Sequence, residues 1–419
     1  MTSALAPPDK KNPQKRTRIQ ALPSEPRSRA ALGLTSAAAE GRFRLQRCAE
    51  CGAVQYPPRD ACTHCLSTDL HWRDIDPNGH LVAETTVRTS TSTYFRERAP
   101  WRIGIVRLDA GVSVMAHLHG DISRGGPARV DCRLDKAGQG VLVAMPVERS
   151  ANMEDDLQLR EMTSDPKYRR VLITDARAAN AAALAQAFSE AGAALIFLGE
   201  AESWRGNPNR AALEAIKGAT IVPLDVTDTS SVTTLSGEIG GKVDILVNNS
   251  SFLRPDRLLA RGNTTFARDE MEVNYLGLMR LALAFGPAMR GRGADGINSA
   301  SAWVNLLSVY AYSPLGELAS FSASQSAALS LAKSLRPEMR SGGVRVMNVF
   351  TGPTDDEWHQ IFPAPKVSAQ AIASSVISGL RGGLEDVFVG DVAQDLIERW
   401  RVDPKILERE MAGRDGGRA

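Results

Sequence analysis

Apolar and polar residues alternate in short runs between Gly79 and about Arg149, in "GHLVAETTVRTSTSTYF", "WRIGIVRLDAGVSVMAHLHGD" and "GQGVLVAMPVER". Val, Ile and Thr alternate there with polar residues, and "PNG" and "DAG" mark turns, so this stretch predicts short β-strands. A small closed barrel is the simplest way to hide their edges. From Arg169 the period changes. Strand-like runs "RRVLITD", "AALIFLG", "GATIVPLDV" and "KVDILVNNS" alternate with Ala-rich helical stretches such as "NAAALAQAFSEAG", the pattern of a parallel sheet covered on both faces. Between the two regions, "ERSANMEDDLQLREMTSDPKY" is rich in acids, Ser and Pro and reads as a linker over 150–168.

The chain has 419 residues, too many for one ordinary core, so at least two domains are expected. With 43% hydrophobic and 23% charged residues it has the make-up of a soluble globular protein. No apolar run approaches the roughly 20 residues that a membrane span requires. The opening "MTSALAPPDKKNPQKRTRIQ" turns polar and basic too early for a secretory signal, which makes the cytoplasm the default compartment. Residues 1–41, rich in Lys, Arg, Pro, Ser and Ala, read as a disordered basic tail. A net charge of +2 does not make the whole chain a polyanion binder.

Four of the five cysteines sit in "CAEC" and "CTHC". Each C-x-x-C brings two thiolates to one side of a tight turn, and two such knuckles supply the tetrahedral sulfur set that zinc accepts. Cys48, Cys51, Cys62 and Cys65 are therefore the expected ligands of a structural zinc, in a ribbon over 42–71. With four sulfurs no position is left open for water, so the metal supports the fold and does no chemistry. Cys132 reads as a small core residue.

The stretch "RFRLQRCAECGAVQYPPRDACTHC", with "YPPR" between the knuckles and the β pattern after it, resembles the zinc-ribbon plus OB-fold proteins that accompany thiolases and related acyl-CoA enzymes. The resemblance places an OB-fold at 72–149 and implies a thiolase-type partner, with a CoA ester at the interface. OB-folds also bind single-stranded nucleic acid on aromatic platforms. Tyr94, Phe95 and Trp101 lie near "RERAPWR", but three aromatics beside arginines equally suit a protein interface, and nucleic acid is the less favoured partner. His117 and His119 read as ordinary strand residues.

Residues 169–395 resemble the short-chain dehydrogenase/reductase family. "LDVTD" with Asp225, "LVNNS" with Asn248 and Asn249, "EVNYLG" with Asn274, and Ser308 thirteen residues before Phe321 stand at that family's motif positions. The resemblance implies a Rossmann-type doubly wound sheet; residues 396–419 follow as a C-terminal helix and tail. The chemistry departs from the pattern. The family's Tyr is Phe321, which has no proton to exchange, and its Lys is Gln325, which carries no charge. Its glycine turn after Thr174 reads "TDARAANA", so Asp175, Ala179 and Ala181 replace the glycines that let backbone N–H groups approach a pyrophosphate. No catalytic residue and no NAD(P) are expected here. The domain is then expected to assemble with itself or with an active homologue. Two alternatives stay open: a working NAD(P)-dependent oxidoreductase with an atypical site, and a nucleic-acid-binding OB protein.

Overall fold

A computed structural model describes residues 1–8, 21–24, 28–201, 206–207, 209–292 and 302–415. The chain divides into two compact units, Met1–Asp165 with Leu380–Glu385, and Pro166–Gly379 with Asp386–Ala419.

In the first unit, β1 (Arg44–Cys48) pairs antiparallel with β2 (Val54–Gln55) on one side and β3 (Leu70–Asp74) on the other. A closed barrel follows, built from β4 (Asn78–Val87), β5 (Trp101–Leu108), β6 (Ser113–Leu118), β7 (Pro127–Leu134) and β8 (Gly140–Pro146) in the order β4-β5-β6-β8-β7. The strand alternation seen in the sequence sends Leu81, Val106, Leu118, Val130 and Ala144 into the lumen, where all are buried. A bulge between Leu81 and Ala83 bends β4. Gly104 sits opposite it, where a Cβ would lie 2.7 Å from the Ala83 carbonyl oxygen.

Composition predicts disorder through residue 41, yet α1 (Leu32–Ala39) is a helix. It buries Leu34, Ala37 and Ala38 against the barrel, and the Gly140 N–H donates to Thr35 Oγ1 at 3.0 Å. Gly140 makes the approach possible, since a Cβ there would stand 2.8 Å from Leu34 O. Residues 9–20 and 25–27 of the expected tail lie outside the described residues.

The linker expected at 150–168 is likewise ordered in part. After α2 (Thr93–Glu97) in the loop between β4 and β5, α3 (Leu157–Arg160) starts on Asp156, whose carboxylate accepts the N–H groups of Leu159 and Gly120. Leu159 and Met162 pack beside Trp101, Val143 and Met145. The acids that marked the linker include a cap, Asp156, and ion-pair partners, Glu161 and Asp165.

The second unit is a seven-stranded parallel sheet, ordered β11-β10-β9-β12-β13-β14-β15. Its strands are β9 (Arg170–Ile173), β10 (Leu195–Glu200), β11 (Ala219–Pro223), β12 (Ile245–Asn248), β13 (Ala302–Ser308), β14 (Arg345–Thr351) and β15 (Asp386–Val389). β12 is buried along its whole length, as a strand covered on both faces must be. The helices are α4 (Ala181–Glu190), α5 (Arg210–Glu214), α6 (Thr229–Ile239), α7 (Thr265–Met271), α8 (Leu278–Gly291), α9 (Ala319–Arg340), α10 (Ala369–Gly382), α11 (Asp391–Val402) and α12 (Pro404–Asp415). A π-turn at Glu272–Gly277 joins α7 to α8. α11 runs through the boundary expected at 395, and Leu396, Leu407 and Met411 belong to the core of this unit. The C-terminal segment is therefore part of the domain through Met411.

A buried polar ladder crosses three adjacent strands. Trp303 Nε1 donates to Asn305 Oδ1 (2.9 Å), Asn305 Nδ2 to Asn348 Oδ1 (3.0 Å), and Asn348 Nδ2 to Asp386 Oδ1 (3.1 Å). Arg336 on α9 closes it at Asp386 (2.9 Å). Among the described residues, no helix is long and apolar enough to cross a membrane.

Candidate functional site

The two cysteine knuckles have the same backbone plan. Cys48 N–H donates to Ala53 O and Gly52 N–H to Cys48 O; Cys62 N–H donates to Ser67 O and Leu66 N–H to Cys62 O. Each turn needs a left-handed residue after its second cysteine. The first uses Gly52 (φ +72°) and the second Leu66 (φ 64°), a strained choice for a residue with a Cβ. The "YPPR" loop between them is held by buried amides. Gln46 accepts Arg59 N–H and donates to Arg59 O, while Gln55 donates to Gln46 and accepts Thr63 N–H.

The four sulfurs lie within 4.8 Å of one another, with Cys48–Cys65 at 3.5 Å and Cys51–Cys62 at 3.6 Å. A regular tetrahedron with metal–sulfur bonds of about 2.3 Å has sulfur–sulfur edges of about 3.8 Å, so the cage fits zinc. Backbone N–H groups of Cys65 and His64 aimed at Cys62 pull its thiol down to about 6. At Cys65 the Ser67 N–H acts in the same direction, but the crowding Cys51 sulfur, burial and Cys48 outweigh it and push the thiol up to about 12. Four like groups this close need a shared cation. His71 is engaged by Asp69 at 2.8 Å, outside the cage.

In the barrel, Tyr94 and Trp101 are each only 3% exposed. Phe95 packs edge-on to both, at 5.0 and 5.4 Å between ring centroids, and Trp101 Nε1 donates to His117 Nδ1 at 2.8 Å. Tyr94 donates to Glu161 (3.0 Å), which Arg98 (3.0 Å) and Lys136 (3.5 Å) also meet. These rings form a core rather than an open stacking platform. His119 is buried, with Nε2 2.9 Å from Met153 O and Nδ1 accepting Asp121 N–H.

The C-terminal ends of the parallel strands, where doubly wound folds bind ligands, bring together most of the positions singled out above. Thr174 at the end of β9 is a hub: its hydroxyl lies 3.1 Å from Asn248 Oδ1, 3.3 Å from Asn249 Oδ1 and 2.8 Å from Ser250 Oγ. Asn249 accepts Asp175 N–H and donates to Asp175 O, both at 2.8 Å. The Asp175 carboxylate turns back on its own loop and accepts Arg177 N–H at 2.8 Å. Burial pushes this carboxyl above its ordinary range, against the pull of the Arg177 and Ala178 N–H groups. Ala179 and Ala181 follow, the latter buried at the start of α4. Asp225 caps its own turn through Thr227 N–H and Oγ1.

The sequence reading missed Glu200, the last residue of β10, where an acid commonly meets a dinucleotide ribose. The signal was present in "FLGE". Glu200 is buried, and Asn207 and Arg210 hold its two oxygens at 2.9 Å each, with Arg177 at 3.9 Å. Gly199 before it allows β10 to approach, since a Cβ would stand 2.5 Å from Thr174 O.

On the other side of the cleft, Asn274 lies in the π-turn and ties two elements together. Its Oδ1 accepts Phe252 N–H (2.8 Å), and its Nδ2 donates to Phe252 O and Ser324 Oγ (2.9 Å each). Phe321 and Gln325 share one face of α9 and are both buried. Gln325 Oε1 accepts the Ser308 N–H at 3.0 Å, and Ser308 Oγ accepts Tyr310 N–H. Phe321 joins the hydrophobic core. Tyr312 packs against Phe350 and Trp400, and burial pushes its hydroxyl up to about 12.

Residues 169–362 match the family described as short chain dehydrogenase. A 1-deoxy-11-beta-hydroxypentalenate dehydrogenase of Streptomyces exfoliatus is 32% identical over 230 residues, covering 51% of this chain and 79% of the relative. The chain belongs to the short-chain dehydrogenase family. Ahead of its short-chain dehydrogenase domain, residues 35–71 match the ChsH2 rubredoxin-like zinc ribbon domain and 72–133 the ChsH2 C-terminal OB-fold domain. An uncharacterized oxidoreductase of Mycobacterium tuberculosis (strain ATCC 25618 / H37Rv) is 30% identical over 208 residues, 47% of this chain and 58% of the relative. The chain thus spans little more than half of that protein. A short chain dehydrogenase from Burkholderia cenocepacia J2315, in complex with NADP, superimposes with a TM-score of 0.53 at 28% identity, over 59% of this chain and 98% of that one. In the short-chain dehydrogenase domain described here, the polar groups around the corresponding cleft are turned toward each other.

Proposed function

We propose that the protein is a non-catalytic scaffold subunit of a thiolase-type acyl-CoA enzyme complex, acting in β-oxidation-like degradation of a CoA-linked acid. The observation that carries this reading is the self-pairing of the dinucleotide cleft: Asp175 on its own turn, Glu200 on Asn207 and Arg210, and Gln325 on Ser308. Transfer of a hydride to or from a carbonyl carbon needs a matched proton transfer at its oxygen. Phe321 offers none, and Gln325 has no charge with which to lower the pKa of a donor.

In this reading the ribbon and barrel dock on the thiolase-type enzyme, with the CoA ester at that interface. The second unit recruits either a second copy or an active short-chain dehydrogenase, which supplies the 3-ketoacyl thioester that a thiolase cleaves. Exposed Leu283 on α8, at 72%, and half-exposed Phe266 on α7 support a partnered surface there. Burial of Tyr94 and Trp101 speaks against the nucleic-acid alternative. Co-expression with thiolase-type candidates, with and without residues 42–149, tests the docking half: co-purification is expected only with the segment present.

A second reading, an NAD(P)-dependent oxidoreductase, is favoured by the NADP complex of the Burkholderia neighbour. Calorimetric titration of the full chain with NAD(H) and NADP(H), together with a ketone screen, separates the two. Micromolar binding with turnover establishes the oxidoreductase. The scaffold reading expects neither, and expects Phe321→Tyr with Gln325→Lys to remain inactive, because no hydride source is held.

A further inference from the structure

We propose that Asp175 is a built-in anion: its carboxylate occupies the backbone N–H cradle that a phosphate would otherwise fill. The inference rests on the scaffold reading and gives it a specific cause. The turn after a first Rossmann strand and the helix behind it form an anion site through N–H groups that point outward and lack intrahelical partners. Here the loop leads into α4, a ten-residue helix beginning at Ala181. The loop's Arg177 N–H is already bonded, at 2.8 Å, to the Asp175 carboxylate two residues earlier.

Contacts made by Asn249, Arg177 and Ala176 hold this arrangement in place. Asn249 clasps Asp175 from both sides of its backbone, through N–H and carbonyl, and also donates to Asn180 Oδ1 at 3.0 Å, so the loop is tied at both ends. The Arg177 side chain reaches Glu200 at 3.9 Å while its N–H serves Asp175. One residue therefore links the phosphate position with the ribose position, and an acid of this chain is present at each. Ala176 N–H donates to Gly199 O at 2.6 Å, which fixes the start of the loop to β10. A bound diphosphate has to displace a carboxylate that is covalently delivered to the cradle, and to do so against its charge. An intramolecular group at a fixed position acts at a high effective concentration, which a free anion in solution does not match.

The test uses the full chain with inorganic pyrophosphate and NADP as probes, comparing wild type, Asp175→Gly and Asp175→Ser by calorimetry and by amide hydrogen exchange at Arg177 and Ala178. Serine retains a short cap for the turn and serves if glycine unfolds the loop. The expected result is no pyrophosphate binding by wild type, at least a tenfold gain in affinity in a folded Asp175 variant, and exchange at the two amides that quickens on substitution and slows again with pyrophosphate. Unchanged non-binding by both folded variants overturns the stand-in and leaves the scaffold reading intact. Binding that appears only after Ala179→Gly and Ala181→Gly are added also overturns it, by assigning the block to side-chain bulk. Tight NADP binding by the wild type overturns both.

Discussion

The cysteine cage and the cleft at the C-terminal ends of the parallel strands are both polar sites built on tight turns, and they satisfy themselves in opposite ways. In the ribbon, four sulfurs of one kind converge on a common centre, with edges of 3.5 and 3.6 Å. Four thiolates at these distances repel one another, and a shared cation at the centre relieves that repulsion. In the cleft, donors face acceptors of the same chain: Thr174 with Asn248, Asn249 and Ser250, Gln325 with Ser308, Asn274 with Phe252 and Ser324. A site waiting for a ligand keeps like groups together. In the scaffold reading, the cleft pairs unlike ones because it serves the fold.

The sharpest way to break this comparison is to remove one sulfur. Cys62→Ser, or chelation of the wild type, is expected to release one zinc per chain and unfold the ribbon, because structural zinc in such modules carries about 10–16 kcal/mol of apparent binding energy. Metal analysis with circular dichroism reads it, and a wild type that is metal-free yet folded through residue 71 contradicts the cage.

On the other side, Thr174→Val and Gln325→Ala are each expected to destabilise the second unit by about 1–3 kcal/mol, since they leave buried groups unpaired. A cleft still kept for function predicts the reverse, because active-site polar groups are commonly held at a cost to stability. Denaturant midpoints decide between the two.

A smaller effect is expected from Glu161→Gln in the barrel. Burial pushes the Glu161 carboxyl up, but Lys136, Arg98 and the Tyr94 hydroxyl outweigh it and hold it below its ordinary range. A carboxyl lowered in the folded state stabilises above its unfolded pKa, and that contribution fades as pH falls through the lower folded value. The melting difference between wild type and variant should therefore be full near pH 7 and close below about pH 4. A gap that widens on acidification reverses the assignment. The smallest change expected is at Leu66, whose left-handed backbone favours glycine: Leu66→Gly should raise the stability of the zinc-loaded ribbon by up to about 1 kcal/mol, read from its thermal midpoint.

The cage was legible from spacing alone, because C-x-x-C places both sulfurs by local geometry. The sheet was legible from the period of its strands, and the motif positions of the second unit from the resemblance to the short-chain dehydrogenase family, some at strand ends (Thr174, Asn248, Ser308) and some on helical segments (Asn274, Phe321, Gln325). Three features were not. α1 depends on Gly140, about a hundred residues away, for its approach to the barrel. The segment around Leu159 and Met162 read as a linker because the partners of Glu161, namely Tyr94, Arg98 and Lys136, lie far along the chain. The loss of glycine at 175 was plain, but the direction of the new carboxylate, back onto Arg177 N–H, is a matter of backbone conformation that a residue name does not carry.

The ladder from Trp303 through Asn305 and Asn348 to Asp386 bears on how this sheet finds its alignment. Its three polar rungs are register partners on neighbouring strands. A slip of β14 by one residue sends Asn348 to the opposite face and leaves an amide of Asn305 without its partner, while Asp386 keeps only Arg336. A fully buried amide stranded in that way costs about 1–3 kcal/mol. Parallel strands meet only after long excursions of chain, and early pairings are made while other alignments are still within reach. With apolar side chains alone, neighbouring alignments of "RVMNVF" would differ little in energy. The ladder makes one of them self-consistent and the others prone to reopen, so that errors in alignment are undone during folding rather than buried.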